Sequence, residues 1–284
     1  MRILILGVSA IALSGCSWLG LGNHNAKNSY NHYANNGSGS YGYKSQSNRG
    51  GCNSGQCLSR WNLEAAVGPT FNVGGNAITG DRTNAGTGAA IRNVDFSELY
   101  KPGIRGELGG SYALSPNRKI TGNVFYEQAE SDGVRNLGTL GGQNVAGALS
   151  DYESYGGEIG LRQYFAPRRG GRLIGNIRPY VEGRLGATRL QSVDLQGATV
   201  AGTPLAAADI PFYRSSWVGS GAGLVGVETP IARHTTLALE SGVRYTQGPR
   251  TDTSVLGAGN ALGGINNGGG RVSIPVMLRG RYRF

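Results

Sequence analysis

The chain of 284 residues contains 50 Gly, only 15% charged residues and a formal charge of +10. Glycine at that density without a three-residue period excludes collagen, and it disfavours long helices because each internal Gly costs about 1 kcal/mol relative to Ala. Helical bundles and doubly wound α/β folds are poor candidates for the same reason, whereas all-β barrels routinely run to about 200–250 residues as one unit. With three Cys and three His there is little to build a metal cluster or His-based catalysis, so no metal site and no cofactor are expected.

The first elements belong to targeting. Met1 and Arg2 precede the apolar run Ile3 to Leu13, then come Ser14, Gly15 and Cys16. A basic start, a short apolar run and small residues at its end make a secretory signal that is too short to span a bilayer as a helix. The segment Leu13-Ser14-Gly15-Cys16 resembles the bacterial lipoprotein lipobox. That resemblance implies removal of residues 1–15 and lipidation of the Cys16 thiol at the new amino terminus, and Ser17 in place of Asp implies sorting to the outer membrane. Acyl chains, at about 0.8 kcal/mol per buried methylene, would hold this end at a membrane.

Residues 16–60 are expected to form a tether. From Ser17 to Gly51 the chain is rich in Asn, Ser, Gly and Tyr and lacks acids, so it cannot bury enough apolar surface to offset its ordering entropy. Its r.m.s. span as a flexible chain is roughly 30 to 35 Å. Tyr30, Tyr33, Tyr41 and Tyr43, interleaved with Lys27, Lys44 and Arg49, leave a nucleic-acid or glycan binder as the alternative. Nucleic acid is not expected in an envelope compartment. With Cys16 taken by lipid, Cys52 and Cys57 remain as an even pair in an oxidising periplasm, and an intrachain disulfide closing a tight loop is expected.

From Trp61 onward, period-two alternation predicts eight strands, running approximately Trp61 to Phe71, Gly103 to Leu114, Lys119 to Glu130, Tyr152 to Phe165, Ile177 to Leu190, Tyr213 to Thr229, Thr235 to Thr246 and Arg271 to Phe284. The connections alternate too, long ones rich in Gly, Asn, Ala and Thr with short ones at Ser115 to Arg118, Ala166 to Asn176 and Pro230 to His234. An even number of antiparallel strands with long loops at one end and short turns at the other is the organisation of outer-membrane barrels. The last strand puts Val272, Ile274, Val276, Leu278, Gly280, Tyr282 and Phe284 on one face. Terminal Phe284, with Tyr282 two before it, resembles the insertion signal read by the outer-membrane assembly machinery.

The same alternation places one Glu on the non-apolar face of each of the first seven strands: Glu64, Glu107, Glu127, Glu158, Glu182, Glu228 and Glu240. Arg105, Arg162, Arg178, Arg184 and Arg244 share that face, as do Arg279, Arg281 and the other arginines of the last strand. Trp61, Tyr112, Phe165, Tyr213, Trp217, Tyr245 and Tyr282 fall near strand ends, where a membrane barrel carries its aromatic girdles. Period two alone does not say which face is inside, and a soluble lipocalin-like barrel would turn the apolar face inward. The terminal Phe284, the loop rhythm and the matched ladder favour the membrane barrel, since charges enclosed in a lumen must be paired.

Residues 61–284 resemble the small eight-stranded outer-membrane barrels of the OmpA-like and OmpW-like group. The resemblance implies an all-β, eight-stranded antiparallel transmembrane up-and-down barrel, here preceded by a disordered tether, in the bacterial outer membrane. Partners implied are outer-membrane lipids, lipopolysaccharide, the assembly machinery and an unnamed envelope protein. Unlike OmpA, no carboxy-terminal peptidoglycan-binding domain follows, so anchoring through one is not expected.

Eight strands enclose an interior just wide enough to be filled by side chains, and a paired Glu/Arg plug there argues for a structural or surface-interaction protein. A narrow channel for small solutes is the alternative. Related small barrels that act on lipopolysaccharide or peptides generally use a His near the outer rim, whereas His234 falls in a short turn, so no enzyme is expected. The short turns hold Arg118, Lys119, Arg168, Arg169, Arg172 and Arg233 and could meet anionic headgroups or acidic periplasmic partners, with plain turn solvation as the alternative.

Overall fold

A computed structural model describes residues 60–80, 88–169, 176–204, 209–254 and 264–283. Cys16, Cys52, Cys57, the tether and Phe284 lie outside these residues. The barrel strands are β1 (Trp61–Gly74), β2 (Gly103–Ser115), β3 (Arg118–Ala129), β4 (Tyr152–Tyr164), β5 (Asn176–Leu190), β6 (Ser216–Pro230), β7 (Thr235–Thr246) and β8 (Arg271–Arg283). Successive side chains point to opposite faces of a strand, and β3 follows this almost residue by residue, exposed then buried.

Each strand pairs antiparallel with its neighbours in sequence, and β8 closes on β1 through Ala65↔Gly280 and Val67↔Leu278. Closure leaves no strand edge unpaired around the wall. Partners followed around the barrel from Glu64 run through Gly109, Asn123, Glu158, Gly186, Ser220 and Thr246 to Arg271. The adjacent Val272 pairs with Gly74, far along β1 from Glu64. That stagger tilts the strands and, with their number, sets the radius. Small residues permit the tight coil. A Cβ on Gly68 would sit 1.9 Å from the Val276 carbonyl oxygen, and one on Gly226 would strike the Tyr180 ring at 2.4 Å.

Described segments of all four long connections fold into a second layer. Ala89–Ile91 from the first, Arg135–Leu140 and Gln143–Leu149 from the second, Val193–Val200, Thr203–Pro204 and Ile210–Arg214 from the third, and Arg250–Thr251 from the fourth join one seven-stranded sheet. Gly141 and Gly142 turn one hairpin with φ of 59° and 79°, the left-handed conformation that a tight two-residue hairpin turn requires. A small pair, Asn76–Ile78 with Val94–Asp95, leads into the helical turn α1 (Phe96–Leu99). Ile78, Val94, Phe96, Leu99, Leu137, Leu195, Phe212 and Ile265 belong to a single apolar cluster in this layer.

Two expectations are corrected here. The strand read from Tyr213 to Thr229 is broken: β6 begins at Ser216, and Phe212 and Tyr213 belong to the second layer, where both are buried. Tyr213 therefore takes no part in a girdle, and its hydroxyl donates to the Ala77 carbonyl oxygen. The long connections, expected only as segments rich in Gly, Asn, Ala and Thr, carry Phe96, Tyr100, Phe212 and Tyr213 in their core. Burial of two consecutive residues, Phe212 and Tyr213, departs from alternation because the chain there packs inside a layered core.

Candidate functional site

The barrel reverses the polarity of a soluble core. Val67, Ile104, Val124, Ile159, Leu185, Val225 and Leu239 project outward, with Ile159 and Leu185 each 72% exposed. Inward lie Glu64, Glu107, Glu127, Glu158, Glu182, Glu228 and Glu240 with Arg105, Arg162, Arg184, Arg244, Arg271, Arg279 and Arg281, all buried. Seven carboxylates thus face seven guanidinium groups. An isolated buried charge costs several kcal/mol of desolvation, so the equal numbers answer a physical requirement.

Same-face spacing positions the pairs. Arg105 and Glu107 stand two apart on β2, as do Glu182 and Arg184 on β5, and in each the arginine Nε donates to the neighbouring carboxylate, at 2.7 and 2.8 Å. The remaining guanidinium nitrogens reach carboxylates on other strands, adjacent or across the lumen. Arg105 Nη1 reaches Glu127 at 3.2 Å and Nη2 reaches Glu158 at 3.3 Å. Arg162 grips Glu64 with Nη1 and Nη2 at 2.8 and 2.9 Å and Glu182 with Nε at 2.6 Å. Glu107 is a hub, accepting from Arg105, Arg184 and Arg279. Arg244 binds Glu158, Arg271 binds Glu127 and Arg281 binds Glu228. Ion pairs thereby link all eight strands, because every one carries at least one of these side chains.

Several members of this network went unnoticed in the sequence. Tyr180 donates to Glu240 at 2.7 Å, Tyr164 donates to Glu228 at 3.1 Å, and the Thr121 hydroxyl donates to Glu182 at 2.7 Å. Arg105 stacks 3.6 Å over Phe125, and Arg271 lies 4.4 Å over Tyr152. The signal was available, since Tyr164 shares the parity of Arg162 and Tyr180 that of Glu182. Lys119, read as a turn cation, is buried and faces the Tyr164 ring at 5.2 Å. Arg178 lies at the short-turn mouth, where it donates to the Pro116 carbonyl and the Asn117 amide oxygen and stacks on Tyr164.

At the rims, Trp61 packs against Tyr112 with ring centroids 4.9 Å apart, and Tyr155 against Trp217 at 6.2 Å. Trp61, Trp217, Phe165, Tyr245 and Tyr282 are exposed. His234 is exposed in the β6–β7 turn, 6.2 Å from the Tyr282 ring.

These features define a closed eight-stranded antiparallel barrel of the transmembrane type, with an apolar outer wall and an ion-paired interior. Among solved structures, similar folds are small outer-membrane barrels. Neisserial surface protein A, from Neisseria, is 10% identical, with a TM-score of 0.42, over 81% of this chain and 100% of that one. OprG of Pseudomonas aeruginosa is 15% identical, with a TM-score of 0.39, over 80% and 97%. Ail, the attachment invasion locus protein of Yersinia pestis, is 13% identical, with a TM-score of 0.33, over 79% and 96%. No protein-family model and no curated protein matches the chain.

Proposed function

We propose that this protein is an outer-membrane lipoprotein, held by lipidated Cys16 and by a closed barrel, whose role is structural or in surface interaction. The observation that carries the reading is the lumen itself, filled by seven carboxylates and seven guanidinium groups in mutual contact. Above it, the long connections build an apolar core around Phe96, Leu99 and Phe212. A solute would have to break a charge network and then part a hydrophobic cluster. The seven-stranded layer built from the four long connections is the contact surface this reading assigns to the cell exterior, and lipopolysaccharide and outer-membrane phospholipid surround the wall. The assembly machinery reads Tyr282 and Phe284, and the Cys52–Cys57 pair closes a small loop before the barrel.

A narrow channel for small solutes is the second reading. It is favoured by buried polar atoms that find no hydrogen-bond partner, among them Nε of Arg244 and Arg271 and Nδ2 of Asn123, where water would enter. Planar-bilayer recording of the purified full chain separates the two. A structural barrel gives no reproducible unitary current. Steps that change when Arg105 or Arg184 is neutralised would establish the channel and remove the structural reading.

A further inference from the structure

The two ends of the barrel handle exposed charge in opposite ways. At the long-connection end most exposed cations have carboxylate partners: Arg92 pairs with Glu98 at 2.8 Å, Lys101 with Glu130 at 3.4 Å and Arg214 with Asp252 at 3.2 Å, whereas Arg189 and Arg250 form no ion pair among the described residues. At the short-turn end Arg60, Arg118, Arg168 and Arg233 are exposed and Arg283 half-buried, and among the described residues none of these forms an ion pair with a carboxylate. Apart from the seven luminal glutamates, every described acid belongs to the long-connection end. The five arginines surround the whole mouth: Arg60 and Arg283 at the outer ends of β1 and β8, Arg118 at the start of β3 after the β2–β3 turn, Arg168 between β4 and β5, and Arg233 between β6 and β7.

Their depth is set by what stands beside them. Arg60 adjoins Trp61, Arg168 follows Phe165, Arg233 follows Ile231 and Arg283 follows Tyr282, and these four apolar neighbours are between 47% and 60% exposed. Each guanidinium thus lies one to three residues beyond the last outward-facing apolar side chain. In a bilayer that seats those side chains at its interface, this is the layer of lipid phosphates. A planar guanidinium offers paired N–H donors to phosphate oxygens, and among the described residues this ring holds no side-chain carboxylate to compete for them.

From this we infer that the short-turn rim is a ring-shaped binding surface for anionic phospholipid headgroups, held in place by Arg60, Arg118, Arg168, Arg233 and Arg283. The inference rests on the membrane placement proposed above and adds to it a lipid class and a leaflet. Ordinary turn solvation does not account for the sorting, because it gives no reason for acids to be absent from one mouth and abundant at the other.

Trp61 and Trp217 stand at opposite rims and report on each separately. Full chains carrying Trp18→Phe with either Trp217→Phe or Trp61→Phe are reconstituted in phosphatidylcholine bilayers containing brominated phosphatidylglycerol or brominated phosphatidylcholine, and fluorescence quenching is compared. The ring predicts that Trp61 favours the anionic lipid by about fivefold for each arginine in reach, with a clearly smaller ratio at Trp217. Arg60→Gln/Arg118→Gln/Arg283→Gln should bring the Trp61 ratio to one while heat-modifiable migration stays unchanged. Equal quenching of Trp61 by both lipids overturns the ring alone. Absence of quenching of either tryptophan by either lipid overturns the membrane placement and the ring with it. Soluble polyglutamate binding at the same arginines, without any preference for phosphatidylglycerol, would assign the rim to an acidic polymer and overturn the lipid inference.

Discussion

Arg162 on β4 and Glu64 on β1 form a two-pronged ion pair across the lumen, with Nη1 and Nη2 at 2.8 and 2.9 Å from the two carboxylate oxygens. The residues are 98 positions apart in sequence, and the pair ties strands that do not adjoin in the wall. Removing one partner of a buried pair leaves the other charge uncompensated, at a cost of about 3–5 kcal/mol, whereas replacing both with apolar residues of similar size is often neutral. Arg162→Ala should therefore lower the urea midpoint of the barrel in lipid vesicles more than Arg162→Met/Glu64→Leu, with Glu182 losing its Arg162 contact in both variants and keeping Arg184. A double variant as unstable as the single one would show that the pair adds more than compensation of charge.

The outward face gives a test that separates lipid from water. Leu185 is 72% exposed near the middle of β5. On a surface facing water, Leu185→Arg would change stability little, whereas at the bilayer midplane it should cost about 2–4 kcal/mol. Refolding equilibria in vesicles, with Leu185→Ala as reference, measure the difference.

The second layer should yield without loss of the barrel, because most of its apolar cluster lies in the long connections and meets the charged lumen only at its edge, where Arg271 stacks on Tyr152. Phe212 is fully buried there and packs edge-on to Tyr213 at 4.9 Å. Phe212→Ala should destabilise this layer by about 3–5 kcal/mol. Cleavage of the long connections by added protease should accelerate, while the slower or faster gel migration of the folded barrel stays as in the parent chain.

Alkaline pH should open the same layer. Burial pushes the phenols of Tyr100 and Tyr213 well above their ordinary range. A raised pKa in the folded state means that the neutral form is the one accommodated, so this stability is complete below about pH 10 and falls as pH rises beyond it. Protease susceptibility of the long connections should therefore climb above that pH, and Tyr100→Phe should reduce the climb. An identical profile in the variant would exclude Tyr100 as a source.

Two proposals concern residues outside those described. Cys16→Ala should abolish incorporation of labelled fatty acid, and persistent labelling would remove the lipoprotein assignment. Deletion of Phe284 should lower the yield of folded barrel in the outer membrane, measured by heat-modifiable migration of envelope protein.

Strand number and the membership of the two faces were legible in the residues, because a side-chain period of two needs no knowledge of neighbours, while strand order was implied by the resemblance to small outer-membrane barrels. Glu64 and Arg162 could be assigned to the charged face from parity alone. Their contact could not, since it depends on the stagger that brings β1 opposite β4. The same limit hid Tyr164 and Tyr180, whose parity was visible but whose acceptors, Glu228 and Glu240, lie on other strands. The rings themselves could equally have belonged to a girdle.

What the amino-acid order determined by itself was local: alternation, the rhythm of long and short connections, and a comparable supply of acids and guanidinium groups on one face. Only the closed tertiary structure decided which carboxylate meets which arginine, and that segments from four separate connections join into one sheet over an apolar core. The physical reason is that pairing and layering are long-range events. A strand of two or three residues such as Arg250–Thr251 or Ala89–Ile91 carries no periodic signal of its own and exists because its partner strand is already in place.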